Sequence, residues 1–250
     1  YEAEKERRAV TRITADQFPE MTVEDAYEIQ HELVKLKREE GRKIIGLKMG
    51  LTSQAKMRQM NVFEPIYGHL FDDMLVEDGG KIDINRLIHP RVEVEIAFIL
   101  GRDLSGPGVT AAHVMAATQY VLPALEIIDS RYENFNFTLP DVIADNASSS
   151  RLVLGSVLTP PSKQELDVAG ATLRINGELV GLGAGAAVLG HPANSVAKLA
   201  NMLSRRGVSL KAGQIILSGS ITEAVRLKGG DFVQGRIAGR GDVSFSVIDE

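Results

Sequence analysis

The sequence contains no cysteine, which excludes disulfide bonds, thiolate metal sites and cysteine nucleophiles. This absence also favours a reducing, cytoplasmic setting. No apolar run reaches the length of a membrane span, and no long basic run offers a surface for phosphate groups. The formal net charge is −5, so we expect the chain to bind neither a membrane nor nucleic acid.

The rest of the composition is that of an ordinary folded protein. The chain has 250 residues, of which 44% are hydrophobic and 24% charged, enough to bury a sizeable core. Thr22, with Asp25 three positions later, predicts the start of an amphipathic helix that ends at Gly41. Short strand-like runs with turn signals dominate from about residue 75, which predicts an α+β fold. We expect a smaller helical N-terminal part over residues 1–75 and a β-rich main body over 76–250.

Individual elements follow from local patterns. Residues 43–53 read as a buried strand that runs into a loop, followed by a short helix over 53–62. Asn176-Gly177 predicts a hairpin turn. The predicted apolar positions of the first helix are Ala26, Ile29, Leu33 and Leu36. The predicted strands are 92–100, 122–128, 151–158, 171–180 (with the hairpin turn), 214–218, 231–237 and 242–247. Two further helices are predicted, near 110–119 and over 194–206.

The stretch "HPRVEVEIAFIL" (89–100) places two carboxylates on one face of a predicted strand. Side chains alternate along a strand, so Glu93 and Glu95 point to the same side. One interpretation is a half-exposed strand with both glutamates in water. Ala97 and Ile99 continue the same face and are apolar, however, which indicates that this face becomes buried. Two buried, unpaired carboxylates would be costly, so this alternative requires a cation.

A third carboxylate, Glu126, lies between Leu125 and Ile127 in another strand-like run. It could pair with an arginine such as Arg131. Alternatively, it joins Glu93 and Glu95 on a neighbouring strand. Three carboxylates without cysteine or clustered histidine form an oxygen-donor site that favours Mg²⁺ or Mn²⁺, with coordination positions left open for a substrate.

Several motifs resemble one enzyme family. "GLKMGLTS", "PIYGHL", "HPRVEVEIAF", "ALEIIDSRYENF", "ADNASSS" and "GAGAAVLGHP" are similar, in order and spacing, to the fumarylacetoacetate hydrolase superfamily, in the branch that holds 2-hydroxypentadienoate hydratases and 4-oxalocrotonate decarboxylases. The resemblance runs from about Phe18 to the C-terminus. It implies a mixed β-roll or sandwich surrounded by helices, with residues 76–250 as the catalytic domain and 1–75 contributing to the active site. It also implies that Glu93, Glu95 and Glu126 are the metal ligands.

Two positions separate the members of this branch. The hydratases look like "GKKIG" and "QPDFG", and the aspartate of the second motif is thought to move a proton. Here Leu47 stands for the first lysine and Ile66 for that aspartate. The decarboxylases look like "GLKMGLTS", "PIYG" and "DSRYENF", which are all present. The resemblance therefore implies a decarboxylase of aromatic meta-cleavage catabolism that acts on 2-oxo-3-hexenedioate and gives 2-hydroxypenta-2,4-dienoate and CO₂. Ile66 would keep the far end of the pocket dry.

Lys48 and Ser148 match residues near the family's substrate. Lys48 lies in an apolar strand, where its ammonium could pair with a substrate oxygen, or its stem could pack while its head reaches water. Ser148 could donate to the substrate or cap a turn. In the implied reaction the C1 carboxylate and C2 carbonyl oxygen chelate the ion, and the electrons released with CO₂ reach the C2 oxygen.

Further candidates for the pocket wall are Leu47, Thr52, Ser53, the loop from Gly183 to Gly185, and Ser218 with Ser220. The glycine-rich stretch "GLGAGAAVLGHP" (181–192) does not have the spacing of a dinucleotide-binding fingerprint. It is interpreted as a tight loop, either at a pocket or purely structural. The five histidines are scattered without the spacing of metal ligands.

The competing functions are a hydratase that adds water to the decarboxylation product and a weakly active assembly partner of that hydratase. The substitution at Ile66 argues against the first, and the intact glutamates and Lys48 argue against the second. Family membership implies a homo-oligomer that associates with the pathway hydratase and acts on a small 2-oxo dicarboxylate.

Overall fold

A computed structural model describes residues 1–53, 57–58, 62–161 and 165–250. None of the helices in these ranges is both long and apolar enough to span a membrane. The α-helices of these ranges are α1 (Glu2–Glu6), α2 (Ile13–Asp16), α3 (Val23–Glu39), α4 (Ala111–Ala117), α5 (Leu139–Ala144) and α6 (Pro192–Ser204).

The strands form two sheets. Their bounds are β1 (Ile44–Gly50), β2 (Ile66–Phe71), β3 (Leu75–Val76), β4 (Gly80–Asp83), β5 (Arg91–Leu100), β6 (Thr118–Ile128), β7 (Ser149–Leu154), β8 (Gly170–Ile175), β9 (Glu178–Ala184), β10 (Ile215–Ser220), β11 (Val225–Arg226), β12 (Phe232–Ile237) and β13 (Gly241–Ile248). The eight-stranded sheet has the order β2-β1-β10-β5-β6-β7-β3, with β11 paired to β5. The five-stranded sheet has the order β4-β13-β12-β8-β9. The predicted α+β class is confirmed.

Strand β5 shows why the two faces of the large sheet differ. Val92, Val94, Ile96 and Phe98 are fully buried in the main core. The small sheet packs closely on this side, because a Cβ placed on Gly235 of β12 would lie 2.8 Å from a methyl carbon of Leu125. The glutamates of β5 therefore point to the opposite face, as the alternation predicts.

Helix α3 begins as predicted but buries different positions. Thr22 and Asp25 form a reciprocal capping box. Ile29 and Leu36, predicted to face the core, are exposed instead. The buried face carries Gln30, whose side-chain amide donates to two backbone carbonyls of neighbouring elements at 3.0 and 2.8 Å. Counting apolar residues misses this face because part of it is polar and satisfied by hydrogen bonds.

The predicted strands and the hairpin turn at Asn176-Gly177 are found with small shifts, apart from one strand. The strand predicted over 151–158 ends at Leu154, and Gly155 then packs against Pro123. The elements that were not predicted are helices α1, α2 and α5 and strands β2, β3, β4 and β11. Most of the helix predicted over 53–62 lies outside the described residues. The division at residue 75 stays a prediction, and β1 and β2 of the first segment belong to the same sheet as β5 and β6.

Candidate metal and substrate site

Three buried carboxylates meet on one face of the large sheet. The antiparallel register of β5 and β6 places Glu93 directly opposite Glu126, and Glu95 follows two residues along on the same face. One carboxylate oxygen from each of the three residues lies within 4.8 Å of the other two. Their exposure is 8% for Glu93 and 0% for Glu95 and Glu126. Like charges this close and this dry require protons or a cation.

The electrostatics of the cluster favour a cation. Burial, together with the charges of Glu126 and Glu93, raises the pKa of Glu95 well above its ordinary value. Burial, with the charge of Glu93, likewise raises the pKa of Glu126, although Lys48 opposes this shift. Among the described residues, Glu95 Oε1 and Glu126 Oε2 have no hydrogen-bond partner. Such unpartnered carboxylate oxygens are suitable ligands for Mg²⁺ or Mn²⁺.

Lys48 reaches the cluster from β1. Parallel pairing of β1 with β10 puts Lys48 level with Leu217, one strand away from β5. Its Nζ lies 3.1 Å from Glu126 Oε1 and donates to the Ala147 carbonyl at 3.1 Å. The residue is 3% exposed, so its head does not extend into water. Burial lowers the pKa of Lys48, but the charges of Glu126 and Glu95 more than offset this and raise it.

A left-handed turn carries Ser148 and the carbonyl that binds Lys48. Asn146, Ala147 and Ser148 have φ of 52°, 52° and 56°, a region that non-glycine residues seldom adopt. The Asn146 side chain fixes the turn by accepting from the His69 N–H at 2.7 Å and donating to the His69 carbonyl at 2.9 Å. The hydroxyl of Ser148 is buried without a hydrogen-bond partner among the described residues, so it is available to a ligand.

The alternative partner considered for Glu126 is engaged elsewhere. Arg131 Nε donates to Asp145 Oδ1, and its other nitrogens donate to the backbone carbonyls of Asp129, Ser149 and Asp145. Both ionic side chains are buried. Arg131 therefore stabilises the residues on either side of the left-handed turn rather than the carboxylate cluster.

Gly219 links the cluster to the loop after β1. Its N–H donates to Glu95 Oε2 at 2.7 Å. Its φ is +113°, and a Cβ at this position would lie 2.1 Å from Thr52 Oγ1. Only glycine accommodates both this backbone conformation and this close approach. Thr52 is thus held beside the backbone that binds Glu95.

A cavity of about 540 Å³ opens over this face. Of the residues singled out from sequence, its wall contains Lys48, Thr52, Ser53, Ile66, Glu93, Ser148 and Ser220.

Four of the candidates for contact with the substrate do not belong to the described wall of this cavity. Leu47 points into the main core, as alternation next to Lys48 requires. The Ser218 hydroxyl is buried and donates to the Ile96 carbonyl at 2.8 Å. Gly183 and Gly185 instead permit close packing, since a Cβ would lie 2.4 Å from the Ile221 carbonyl oxygen and 1.8 Å from that of Leu166, respectively.

Sequence reasoning missed a cationic and aromatic part of the wall. Arg91, Phe135 and Phe137 all line the cavity. The Arg91 guanidinium carbon lies 4.2 Å from the centroid of the Phe135 ring, close enough for a cation–π interaction. A signal for Arg91 was present, because positions 91, 93 and 95 share one face of the strand. The aromatic residues follow β6 in an irregular segment with no periodicity to reveal them.

Comparison with known proteins assigns the family. The model of the fumarylacetoacetate (FAA) hydrolase C-terminal domain matches residues 43–248. The chain belongs to the fumarylacetoacetate hydrolase family. This confirms the resemblance noted in the sequence and the fold that it implies.

Relatives within the family include both kinds of enzyme in the branch. The chain is 49% identical over 246 residues to a 4-oxalocrotonate decarboxylase of Pseudomonas sp. strain CF600, covering 98% of this chain and 93% of that protein. It is 44% identical over 251 residues to a 2-hydroxyhexa-2,4-dienoate hydratase of Comamonas testosteroni, covering 100% and 95%.

A solved structure agrees closely with this fold. The 4-oxalocrotonate decarboxylase from Pseudomonas putida G7, complexed with magnesium and adipate, superposes with a TM-score of 0.96 at 49% identity, covering 99% of this chain and 94% of that one.

Proposed function

We propose that this member of the fumarylacetoacetate hydrolase family is a metal-dependent 4-oxalocrotonate decarboxylase. It converts 2-oxo-3-hexenedioate to 2-hydroxypenta-2,4-dienoate and CO₂ in the meta-cleavage catabolism of aromatic compounds. The observation that carries the proposal is the buried cluster of Glu93, Glu95 and Glu126, which lies beside Lys48 and adjoins a cavity lined by Ile66. Relatives named 4-oxalocrotonate decarboxylase, which are 49% and 51% identical over nearly the whole chain, support it.

Glu93, Glu95 and Glu126 would hold Mg²⁺ or Mn²⁺. A bound divalent ion would supply positive charge beside the C2 oxygen of the substrate, where an electron pair arrives as CO₂ leaves. The bond from C5 to C6 breaks, its electrons form the C4–C5 double bond, the C3–C4 double bond moves to C2–C3, and the carbonyl pair moves to oxygen. Proton uptake at that oxygen gives the 2-hydroxy diene. No organic cofactor is needed.

The side chains around the cluster have complementary roles in this proposal. The charged ammonium of Lys48 donates to the C2 oxygen as it becomes negative, because Glu126 and the Ala147 carbonyl fix its position. Ser148 donates its unpartnered hydroxyl to a substrate oxygen. Thr52 and Ser53 line the cavity wall next to Lys48. Ile66 gives the leaving carboxylate an apolar surface, which favours loss of its charge.

Hydration of the decarboxylation product is the second candidate, because relatives named as hydratases are also 44–45% identical. Adding water across a double bond requires a group that moves a proton, and Ile66 cannot do so. The proposal also includes a cytoplasmic homo-oligomer that associates with the pathway hydratase, which would receive the unstable dienol. Gel filtration of the protein alone and with that hydratase measures both associations.

The deciding experiment follows the ultraviolet absorbance of 2-oxo-3-hexenedioate and traps CO₂, with Mg²⁺ and then with chelator. We expect stoichiometric CO₂ that chelator abolishes. Consumption of 2-hydroxypentadienoate in the same buffer, without CO₂ from the dicarboxylate, would establish the hydratase instead. Glu178→Gln, an exposed glutamate at the start of β9, is the control for substitutions in the cluster.

A further inference from the structure

Arg91 is a cation in the wall of the active-site cavity. It lies on the same face of β5 as Glu93 and Glu95, two residues from Glu93, which corresponds to about 7 Å along the strand. Its register neighbours are Ile128 on β6 and Arg226 on β11. Its guanidinium stacks on Phe135, which holds the planar group at the cavity.

No carboxylate forms an ion pair with Arg91 in the part of the chain that the structure describes. Its neighbour in register, Arg226, has the same charge, and like charges opposite each other on a sheet are unfavourable. A guanidinium that is stacked, partly buried and without an acid partner is suited to a planar carboxylate supplied by a ligand.

The charges of the site also favour a contact between Arg91 and a carboxylate of the substrate. A divalent ion would bring two positive charges to the three carboxylates of the cluster, and Lys48 brings a third. A dicarboxylate substrate would enter with two further negative charges. Arg91 supplies the positive charge that remains in the described wall.

We propose that Arg91 binds the C1 carboxylate of the substrate, at the 2-oxo end, and thereby fixes the direction in which the dicarboxylate lies. This inference rests on the proposed function. A fixed cation at the C6 carboxylate would stabilise the charge that must disappear when CO₂ leaves, and so would slow that step. At the C1 carboxylate the charge is retained throughout the reaction, so Arg91 contributes to binding and orientation without opposing the chemistry.

The opposite end of the cavity suits the C6 carboxylate. Ile66 lies on β2, three strands from β5, which corresponds to about 14 Å across the sheet. Leu51 and Val142 belong to the same wall. Lys48 on β1 lies between β2 and β5 in the strand order, and Glu93 follows Arg91 on the same face of β5. A substrate held at C1 by Arg91 therefore directs C6 toward a surface that favours the loss of charge.

Two probe ligands distinguish the two carboxylates. 2-Oxopentanoate has only the C1 carboxylate, whereas 2-oxohexanedioate has both. Isothermal titration calorimetry with Mg²⁺ measures their Kd for wild-type protein and for Arg91→Gln. We expect both ligands to weaken by the same factor, about 10- to 100-fold. If only 2-oxohexanedioate weakens, Arg91 contacts the far carboxylate, and if neither weakens, it contacts no carboxylate; either result overturns the inference.

Arg226→Gln is the matched control, because Arg226 is opposite Arg91 but exposed and outside the described wall. We expect the Kd of both ligands to change less than about twofold in this variant, since a surface charge acts weakly through water. An equal loss in both variants would mean that only the general positive field matters, and would overturn the inference. Arg91→Lys keeps the charge but not the planar fork, and should restore part of the affinity.

The outcome separates this inference from the proposed function. If Arg91→Gln binds 2-oxopentanoate more weakly but the wild type releases no CO₂, the contact between Arg91 and the C1 carboxylate is supported and the decarboxylase activity is refuted. A Mg²⁺-dependent rise in Tm equal to that of the wild type shows that the variant remains folded with its metal site intact. If Arg91→Gln fails to fold, Arg91→Lys decides: unchanged affinity for 2-oxopentanoate would overturn the contact.

Discussion

Glu95→Gln removes one negative charge from the buried carboxylate cluster while keeping the shape of the side chain. At the 4.8 Å that bounds the cluster, two unit charges repel each other by about 3 kcal/mol at an effective dielectric constant near 20. Protons already relieve part of this, because folding raises the pKa of Glu95 above its ordinary value of 4.5. The metal-free variant should therefore be more stable than the wild type by up to about 3 kcal/mol, or about 2–4 °C in Tm for each kcal/mol.

The pH dependence has a definite sign. The folded protein holds a proton on Glu95 that the unfolded chain has released, so the contribution of Glu95 to the free energy of unfolding of the metal-free wild type falls as pH rises above about 4.5. Glutamine has no proton to lose. The stability advantage of Glu95→Gln should thus be small near pH 4.5 and grow toward neutral pH.

In saturating Mg²⁺ the wild type should become more stable than Glu95→Gln. At a concentration of 1,000 times its Kd, a ligand that binds only the folded state stabilises it by about 4.1 kcal/mol, which exceeds the metal-free advantage of the variant. Glu95→Gln lacks one proposed ligand, so this rise in Tm should be much smaller. Thermal unfolding followed by circular dichroism, in chelator and in Mg²⁺, measures both effects, with Glu178→Gln as control. A variant that is less stable in chelator yet responds to Mg²⁺ like the wild type would refute the reasoning, because Glu95 would then be a structural residue.

Three further predictions concern the surroundings of the cluster. Ile66→Asp should lower CO₂ release about tenfold or more, because it places a negative charge where the leaving carboxylate loses its own; unchanged turnover would contradict this. Burial lowers the pKa of His69 to about 4, so the unfolded chain binds the extra proton, and about 2 kcal/mol of stability should be lost between pH 7 and pH 5; denaturant titrations of His69→Gln should show a smaller loss. Arg131→Met should destabilise the protein by about 3–5 kcal/mol, because Asp145 stays buried without its partner, and the added change Asp145→Leu should recover part of this in the same titrations.

Local patterns in the sequence are sufficient for much of the fold. Alternation along "HPRVEVEIAFIL" places Glu93 and Glu95 on one face, and the structure has them there. The Asn176-Gly177 turn and the capping box at Thr22 are equally local, and both are found. In each case the determining interactions lie within a few residues along the chain.

The arrangement of the site depends instead on contacts between distant segments. Lys48 reaches Glu126 only because β1 pairs in parallel with β10, which follows it by about 170 residues in the sequence. Alternation alone also cannot show which face of a strand meets a cavity and which meets the core, so Leu47 was assigned to the pocket along with Lys48. Glycines at 183 and 185 were interpreted as a pocket loop, but they are required by backbone packing. The sequence alone does not show which distant backbone segment packs against a glycine, so these two contacts could not be predicted.

The left-handed turn shows how residues outside the cavity determine its chemistry. Three successive non-glycine residues in this conformation cost about 1–2 kcal/mol each, so the turn persists only because other contacts require it. Asn146 is hydrogen-bonded in both directions to the His69 backbone, and Arg131 links Asp145 to the backbone carbonyls of Asp129 and Ser149. If the turn relaxed to right-handed geometry, the Ala147 carbonyl would move away from the Lys48 ammonium. Arg131 lies within the "DSRYENF" motif but outside the described cavity wall, and holding this turn is the physical reason for an arginine at that position.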